Sequence, residues 1–517
     1  ACRGLSLKDN CAPFSAILSN EINAKFCVHL EHNVLCSPPP RWLWKKEFKM
    51  THLTSDQNTP QTFPCTDIGN MERFIDQHRD YLRSTSSGAV FKWTGNRWKA
   101  FSHADIFNLA RKTVLKIQSE ARHAAAEAEA NDLRRWSLTS QSEAKIRSMI
   151  NMACKHEDIQ VRLSDFDKDR NRINCLNGII DLTSGQLMGR TPKDYVSKII
   201  NVDYDPHAKA PLFKTFIGQI FGHDKELIDW VQRALGYSLT GSTSEQVLFA
   251  ALGTGANGKS TLIEVVSRIM NDYSTTASFN TFLSGKASDV RSMEAVGKLK
   301  GMRLALASEA DSTRKFREDL IKQLTGDAVL QGAKLHGESF SFQPQFKLWF
   351  LVNQLPFVGD GSFGFWRRIK VIPFNQRFAD DERDSNLPDK LWQERGGILA
   401  WLVDGATAYH KALAASDSTG LGPCAAIDEQ VDQYRYDNDL PTRFLDECTR
   451  EQKGSKVSAT ELYDRYCDWC RLNGDNDTIS KQIFSKRMQE RGLQKTRSNA
   501  GVFYKDVVTV ENNLFDL

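Results

Sequence analysis

A multidomain α+β fold is predicted by three features of the sequence: helical periodicity from about Asp67 to Ile150, apolar strands alternating with helices between residues 245 and 375, and a basic helix followed by two β-prone runs after Lys481. The layout is a helical N-terminal domain, an α/β core around a phosphate-binding loop, and a C-terminal module of winged-helix plan. The length agrees, because 517 residues exceed the ~250–300 that a single core organises. The segments read as an extension over 1–64, a helical and β collar domain over 65–225, the α/β core over 226–415, a linker over 416–440 and the C-terminal module over 441–517.

In "GNMERFIDQHRDYL", Met71, Phe74, Ile75 and His78 recur at helical spacing, and "SHADIFNLARKTVLKIQSEARHAAAEAEANDL" is long and rich in helix formers. Between them "GAVFKWTGNRWKAF" reads as a hairpin turning at Gly95-Asn96. "RINCLNGIIDLTSGQLMG" is a second β-rich patch, with turns at Asn177-Gly178 and Ser184-Gly185. "FKTFIGQIFGHDKELIDWVQRALGYSLTG" is helical and leads into the first core strand, and "GILAWLVDGATAYHKAL" is a helix with an apolar face. A Gly/Pro/Ser-rich stretch from 416 to 424 opens the linker, and "GVFYKDVVTV" is a closing hairpin-like run.

A composition of 40% hydrophobic and 26% charged residues is that of a globular protein. No apolar run approaches the ~20 residues of a membrane span, so no membrane partner is expected. A net charge of +4 is too small to imply a nucleic-acid partner, which leaves that question to local patches. Of eleven cysteines, Cys467 and Cys470 form one CxxC, in "YCDWC". No second pair stands at a zinc spacing, so the two read as neighbours on one helix, in a reduced cytoplasmic setting. Residues 1–49 lack an initiating Met, a signal-peptide plan and sustained periodicity. Lys46-Glu47 can be encoded AAG-GAG, a bacterial ribosome-binding sequence just ahead of Met50. Residues 1–49 therefore read as a translated upstream region with Met50 as the natural start; a genuine extension is the alternative.

The chemistry centres on "ALGTGANGKST", residues 251–261, which follows the apolar run Val247 to Leu252. Gly253, Gly255, Asn257 and Gly258 form a loop of the P-loop pattern ahead of Lys259, Ser260 and Thr261. Glycines let successive N–H groups turn inward around a phosphate, and the helix that follows adds its positive end. Lys259 supplies charge for the β- and γ-phosphates and Ser260 a hydroxyl for Mg2+, so the loop reads as a nucleoside triphosphate site. An ATPase also needs a carboxylate to polarise water and a polar sensor at the γ-phosphate, and assembled motors add a positive charge from a neighbour. The strand in "RLALASEA" ends at Ser308-Glu309, and "FKLWFLVNQLP" is a strand ending at Asn353. "GFWRRIKVIPF" places Arg367 and Arg368 before another apolar strand; on an extended chain only one of them should face a neighbour. Between Glu309 and Asn353, "AVLQGAKLHGE" and "SFSF" suggest a hairpin with Lys334 and His336 near its tip. Those two suit contact with a strand's phosphates and sugars, with a solvated turn as the alternative.

Taken together, "GTGANGKST", "RLALASE", "LIKQLTGD…AKLHGESFSFQPQFKLWFLVNQLP" and "WRRIKVIPF" resemble the superfamily 3 helicases, closest to the helicase part of satellite-phage, plasmid and poxvirus primase–helicases. "TDIGNMERFIDQH", "NGIIDLTSGQL", "NVDYDPHAKAPLF" and "ALGYSLTGSTSEQVLF" look like the helical domain ahead of the motor in that family, and "LYDRYCDWCRLNG" like its C-terminal module. The resemblance implies an AAA+-like core, ATP with Mg2+, and a homo-hexameric ring moving on single-stranded and forked DNA. It implies that Lys259 and Ser260 bind phosphate and metal, Glu309 activates water and supports the metal, Asn353 senses the γ-phosphate, Arg368 rather than Arg367 is the finger, and Lys334 and His336 contact DNA. Ser308 departs from the second acid that many P-loop ATPases carry at that place. No triad of catalytic acids or zinc-binding cysteines precedes the helical region, so a separate primase and host replication proteins are expected as partners. The expected setting is the cytoplasm of a bacterial host.

From Lys481 to Lys505 seven Lys or Arg face one acid, Glu490. A recognition helix carrying Lys486 and Arg487, then a basic two-stranded wing carrying Lys495 and Arg497, fits a DNA contact. The function that follows is an ATP-dependent DNA helicase of a phage, satellite or plasmid. A DNA-binding initiator or remodelling ATPase that does not unwind, or a P-loop kinase, is the alternative.

Overall fold

Thr66, Ser102 and Ser142 each accept a backbone N–H two or three residues into the following turn, and each starts a helix: Asp67–His78, His103–Glu120 and Glu143–Ala153. The structure is a computed structural model describing residues 62–510 except 286–288, 309–313, 327, 334–337, 360–362, 416–418, 475–477 and 500. Glu127–Ser140 completes the N-terminal helices, whose inward stripe runs from Phe74 and Ile75 through Ile106, Val114 and Met149 to form a core of its own. Strands β1 (Leu82–Ser84), β2 (Val90–Trp93) and β3 (Trp98–Phe101) make an antiparallel sheet beside them. The hairpin turns where expected, with Thr94 N–H donating to Arg97 O and Gly95 in the left-handed region.

A second antiparallel meander follows: β4 (Arg172–Cys175), β5 (Gly178–Asp181) and β6 (Gln186–Met188). Helices Pro211–Ile220 and Lys225–Leu239 then lead to the central sheet. The remaining strands up to that sheet's edge are β7 (Leu248–Leu252), β8 (Ser274–Thr276), β9 (Leu304–Ser308), the hairpin β10 (Leu330–Ala333) and β11 (Ser339–Phe342), β12 (Lys347–Val352) and β13 (Ile369–Pro373). Five of them pair in the order β13-β7-β12-β9-β8, every neighbour parallel. Parallel strands are covered on both faces, which is why "LFAAL" and "KLWFLV" are continuous apolar runs. Period-2 alternation still sorts them. Phe249, Ala251, Trp349 and Leu351 face one core, while Leu248, Ala250, Leu348 and Phe350 face the other. The first core also holds Ile173 and Ile180 of the meander and Phe213, Trp230 and Leu402 of surrounding helices, so the meander and the central sheet share one interior.

The multidomain α+β class with a helical start and a parallel-sheet core is therefore present. Two segments differ from expectation. Residues 425–438 are a helix, Ala425–Asn438, not linker: Ile427 is buried in one core, Tyr434 in the other, and the Tyr434 hydroxyl donates to Pro356 O. Beyond it come helix Leu440–Cys448, β14 (Thr449–Ser458), helices Ala459–Leu472 and Lys481–Glu490, β15 (Lys495–Ser498) and β16 (Gly501–Thr509). The closing pair was expected as a two-stranded wing. The sheet has three strands, ordered β14-β16-β15, because β14 pairs with the far side of β16. Phe444, Tyr466 and Phe484 fill this module's own core. Among the described residues no helix is long and apolar enough to cross a membrane.

Candidate nucleotide and DNA sites

In a parallel sheet the carboxyl ends of all strands lie along one edge, where ligands collect. Here Gly253 follows β7, Asn353 follows β12 and Ser308 ends β9, and β12 lies between the other two. Gly253 N–H donates to Val352 O at 3.2 Å, which sets the phosphate-type loop beside Asn353. Within the loop Gly255, Ala256 and Gly258 all have positive φ (99°, 52° and 79°), the conformation that turns N–H groups toward a common centre. Gly258 is also a packing requirement, since a Cβ there would collide with Ile220. Around Gly255 a Cβ would meet nothing.

Lys259 opens helix Lys259–Met270 and is nearly buried. Its ammonium donates to Gly253 O at 3.0 Å, to Val352 O, and to Asn353 Oδ1 at 3.1 Å. The lysine thus joins the loop to the end of β12. Asn257 faces the other way, with Nδ2 donating to Phe374 O just past β13. It shapes the loop. Ser260 is exposed at the start of the helix, Thr261 is half-buried, and Gly258 supplies no side-chain cap, so the helix start is open to an anion. Glu309 lies outside the described residues, although Ser308, the residue before it, is exposed at the same edge.

Arg367 and Arg368 stand at the opposite edge. Leu248 N–H donates to Arg368 O at 2.8 Å, so the pair flanks the start of β7 while the loop follows its end. Five strand residues separate the two, roughly 16 Å. The pair does not alternate as an extended chain would, because it occupies a turn after the short helix Phe363–Trp366. Both guanidiniums consequently reach Gln246 Oε1, Arg367 at 2.7 Å and Arg368 at 3.4 Å. Arg368 Nε is buried without a hydrogen-bond partner among the described residues, and burial together with the Arg367 charge lowers the Arg368 pKa. Gln246 itself, with φ of 53°, lies in "ALGYSLTGSTSEQVLF", but nothing in that stretch singles it out and only its contacts do.

Strands β10 and β11 form the expected hairpin, in register Ala333 to Ser339. Its tip residues Lys334 and His336 lie outside the described residues. In the C-terminal module Lys486 and Arg487 stand on helix Lys481–Glu490, each 3.8 Å from Glu490, and Lys495 and Arg497 are exposed on β15. Lys495 Nζ donates to Ser485 Oγ, which brings the helix and sheet cations together. Arg487 differs from Lys486 in lining a cleft against the core. Cys467 and Cys470 both lie on helix Ala459–Leu472.

Fold and site together define an α/β protein with a glycine loop and a bound lysine at the carboxyl edge of a parallel sheet. Comparison with known proteins places it. Residues 71–222 match the family described as D5 N terminal like, 251–368 a family of unknown function, DUF5906, and 436–513 the Poxvirus D5 protein-like family. A "Putative helicase" of Acanthamoeba polyphaga mimivirus is 26% identical over 337 residues, 60% of this chain and 34% of the relative. A "Putative helicase" of Frog virus 3 is 24% identical over 291 residues, 53% and 29% of the two chains. A "Putative primase" of African swine fever virus is 18% identical over 330 residues, 60% and 34%. The chain spans about a third of the length of these curated relatives. Among solved structures, the apo NrS-1 C terminal region aligns at a TM-score of 0.43 with 9% identity, over 85% of this chain and 98% of that one, too distant a likeness to argue from. With D5-type domains flanking the core, the chain fits the primase–helicase family. These relatives come from viruses of eukaryotes, so they give no support to the expected phage and bacterial host.

Proposed function

We propose that the chain is the motor of an ATP-dependent DNA helicase, a ring of identical subunits, six by family resemblance, moving along single-stranded DNA at a fork. The observation that carries this reading is the separation of the loop and the arginine pair to opposite edges of adjacent parallel strands. An arginine roughly 16 Å from its own loop serves catalysis only in a neighbour, and a head-to-tail ring supplies that neighbour.

Lys259 neutralises the β- and γ-phosphates, moving from backbone carbonyls to phosphate oxygens, and Asn353 beside it reads whether the γ-phosphate is present. Ser260 and Glu309 would hold Mg2+, which supplies charge neutralisation on the phosphates when bound. Glu309 orients the attacking water. The open helix start and the clear space at Gly255 fit such a ligand. Lys334 and His336 at the hairpin tip follow one strand, and the winged-helix-like module with Lys486, Arg487, Lys495 and Arg497 holds duplex or exiting strand. Priming falls to other residues or another protein, in the replication of a virus or other mobile element.

The test is strand displacement on a forked substrate with ATP turnover measured alongside. Lys259→Ala should abolish both. Glu309→Gln should bind ATP normally while turnover collapses, and continued hydrolysis by that variant would mean the catalytic acid lies elsewhere. DNA-stimulated ATPase without displacement would favour a remodelling ATPase, and turnover indifferent to DNA a kinase.

A further inference from the structure

Tyr466 is fully buried, and its hydroxyl, near Cys470 and the Ile479 backbone, makes no hydrogen bond of good geometry among the described residues. Native folds rarely leave a buried hydroxyl so. The residue lines a cleft of about 240 Å3 between the α/β core and the C-terminal module. The core contributes Phe357, Val358 and Trp366, an apolar wall; helix Ala425–Asn438 contributes Arg435; and Arg487 and Arg491 enter from the module. Arg435 is exposed and makes no ion pair among the described residues. Arg491 pairs with Asp439, the one carboxylate on the lining, against four cations there, Lys315 included. An apolar wall, a buried donor and an arginine-rich rim are the complement of a nucleotide: a flat base with polar edges, and a phosphate that guanidinium groups grip with paired bonds. At roughly 30 Å3 per water the space exceeds what one bridging water needs, and water alone gives the arginines no role.

We propose that this cleft binds one nucleotide of a DNA strand, its phosphate on Arg435, Arg487 and Arg491 and its base against Phe357 and Trp366 within reach of the Tyr466 hydroxyl. The proposal rests on the reading of the chain as a DNA motor and adds a place where the strand is held between motor and module. Arg487, exposed on the module and also lining the cleft, then holds the strand from the cleft rim beside Lys486.

The experiment uses the full chain and a fluorescent oligothymidylate, with a 5-iododeoxyuridine version for photocrosslinking. Tyr466→Phe keeps the ring stacked on Phe484, centroids 4.7 Å apart, so the fold is retained and only the donor is lost. It should weaken strand binding roughly 2- to 10-fold, the worth of one hydrogen bond. Arg435→Ala should weaken it too, and lower the slope of log affinity against log salt by about one. Crosslinks should map to Phe357, Trp366 or Tyr466. If thymidine monophosphate binds with the same dependence on Tyr466 while the oligonucleotide shows none, the site takes a free nucleotide, and the strand assignment is overturned. If the wild-type chain binds DNA but both variants match it and crosslinks fall elsewhere, the cleft holds water and the proposal is overturned alone. If the wild-type chain binds no DNA, the motor reading falls with it.

Discussion

Lys259 shows how much a single side chain can carry. Three oxygens, one from the loop at Gly253 and two from the end of β12, hold its ammonium in place, so its charge is positioned jointly by the loop and the strand beside it. The sequence reveals this lysine because the surrounding glycines are needed locally. Gln246, Arg435 and Tyr466 were illegible for the opposite reason: each matters through residues far along the chain, Gln246 through Arg367 121 positions away, that no local pattern connects to it. His78 is a further case, read from sequence only as a helix-face position. It is buried, with Nε2 2.9 Å from Thr113 Oγ1 and Nδ1 against the Tyr81 hydroxyl. Burial, helped by the Lys116 charge, lowers its pKa from 6.5 to about 4. Below pH 6.5 the unfolded chain therefore takes up a proton that the folded one refuses. Stability is whole above that pH and is lost as pH falls toward 4, by at most about 3 kcal/mol. Hydrogen exchange of helix Asp67–His78, corrected for intrinsic rates, should accelerate across this window. His78→Gln should flatten the dependence.

At the scale of elements, helices Lys225–Leu239 and Arg395–Ala415 cross with glycine against backbone on both sides. A Cβ on Gly236 would collide with Gly405 and Ala406, and one on Gly405 with Gln232 O. Gly236→Ala and Gly405→Ala should each cost at least about 1–3 kcal/mol, read as a lower denaturation midpoint, because overpacking here displaces main chain rather than a side-chain tip. Core strands were legible as apolar runs, and the hairpin as two β-prone stretches about a turn. Helix Ala425–Asn438 was not. Only Ile427 and Tyr434 of its fourteen residues are buried, one toward each core, so no continuous apolar stripe marks it. The glycine and proline before it suggested linker instead. The three-stranded C-terminal sheet was half legible: "TREQKGSKVS" has little strand character, and β14 exists because β16 offers it a partner.

For the whole molecule the decisive question is whether the arginine pair acts across a subunit boundary. Arg368→Ala should leave nucleotide binding intact, because its own loop is untouched at the far edge of the sheet, while hydrolysis falls ~10³-fold or more. Mixing Arg368→Ala with Lys259→Ala protein should restore part of the activity. One boundary in the mixed assembly then joins an intact loop to an intact arginine, which neither parent can form. Rescue is measured as ATP turnover against mixing ratio, with subunit exchange shown separately. No rescue at any ratio would place the arginine's action within one chain and end the ring reading.

The interior shared by the collar meander and the motor sheet has an evolutionary corollary. Recombination leaves working proteins where few contacts cross the junction. A crossover between residues 190 and 240 would strand Phe213, Trp230 and their partners without the surfaces that cover them. The helical bundle around Phe74 and Met149, with a core of its own, is tied to the rest more lightly, through β3 and its turn, where Arg97 pairs with Asp272 and Trp98 Nε1 donates to Pro192 O. Lineages that exchange parts of this protein should therefore trade the bundle more readily, and inherit meander and motor as a single block.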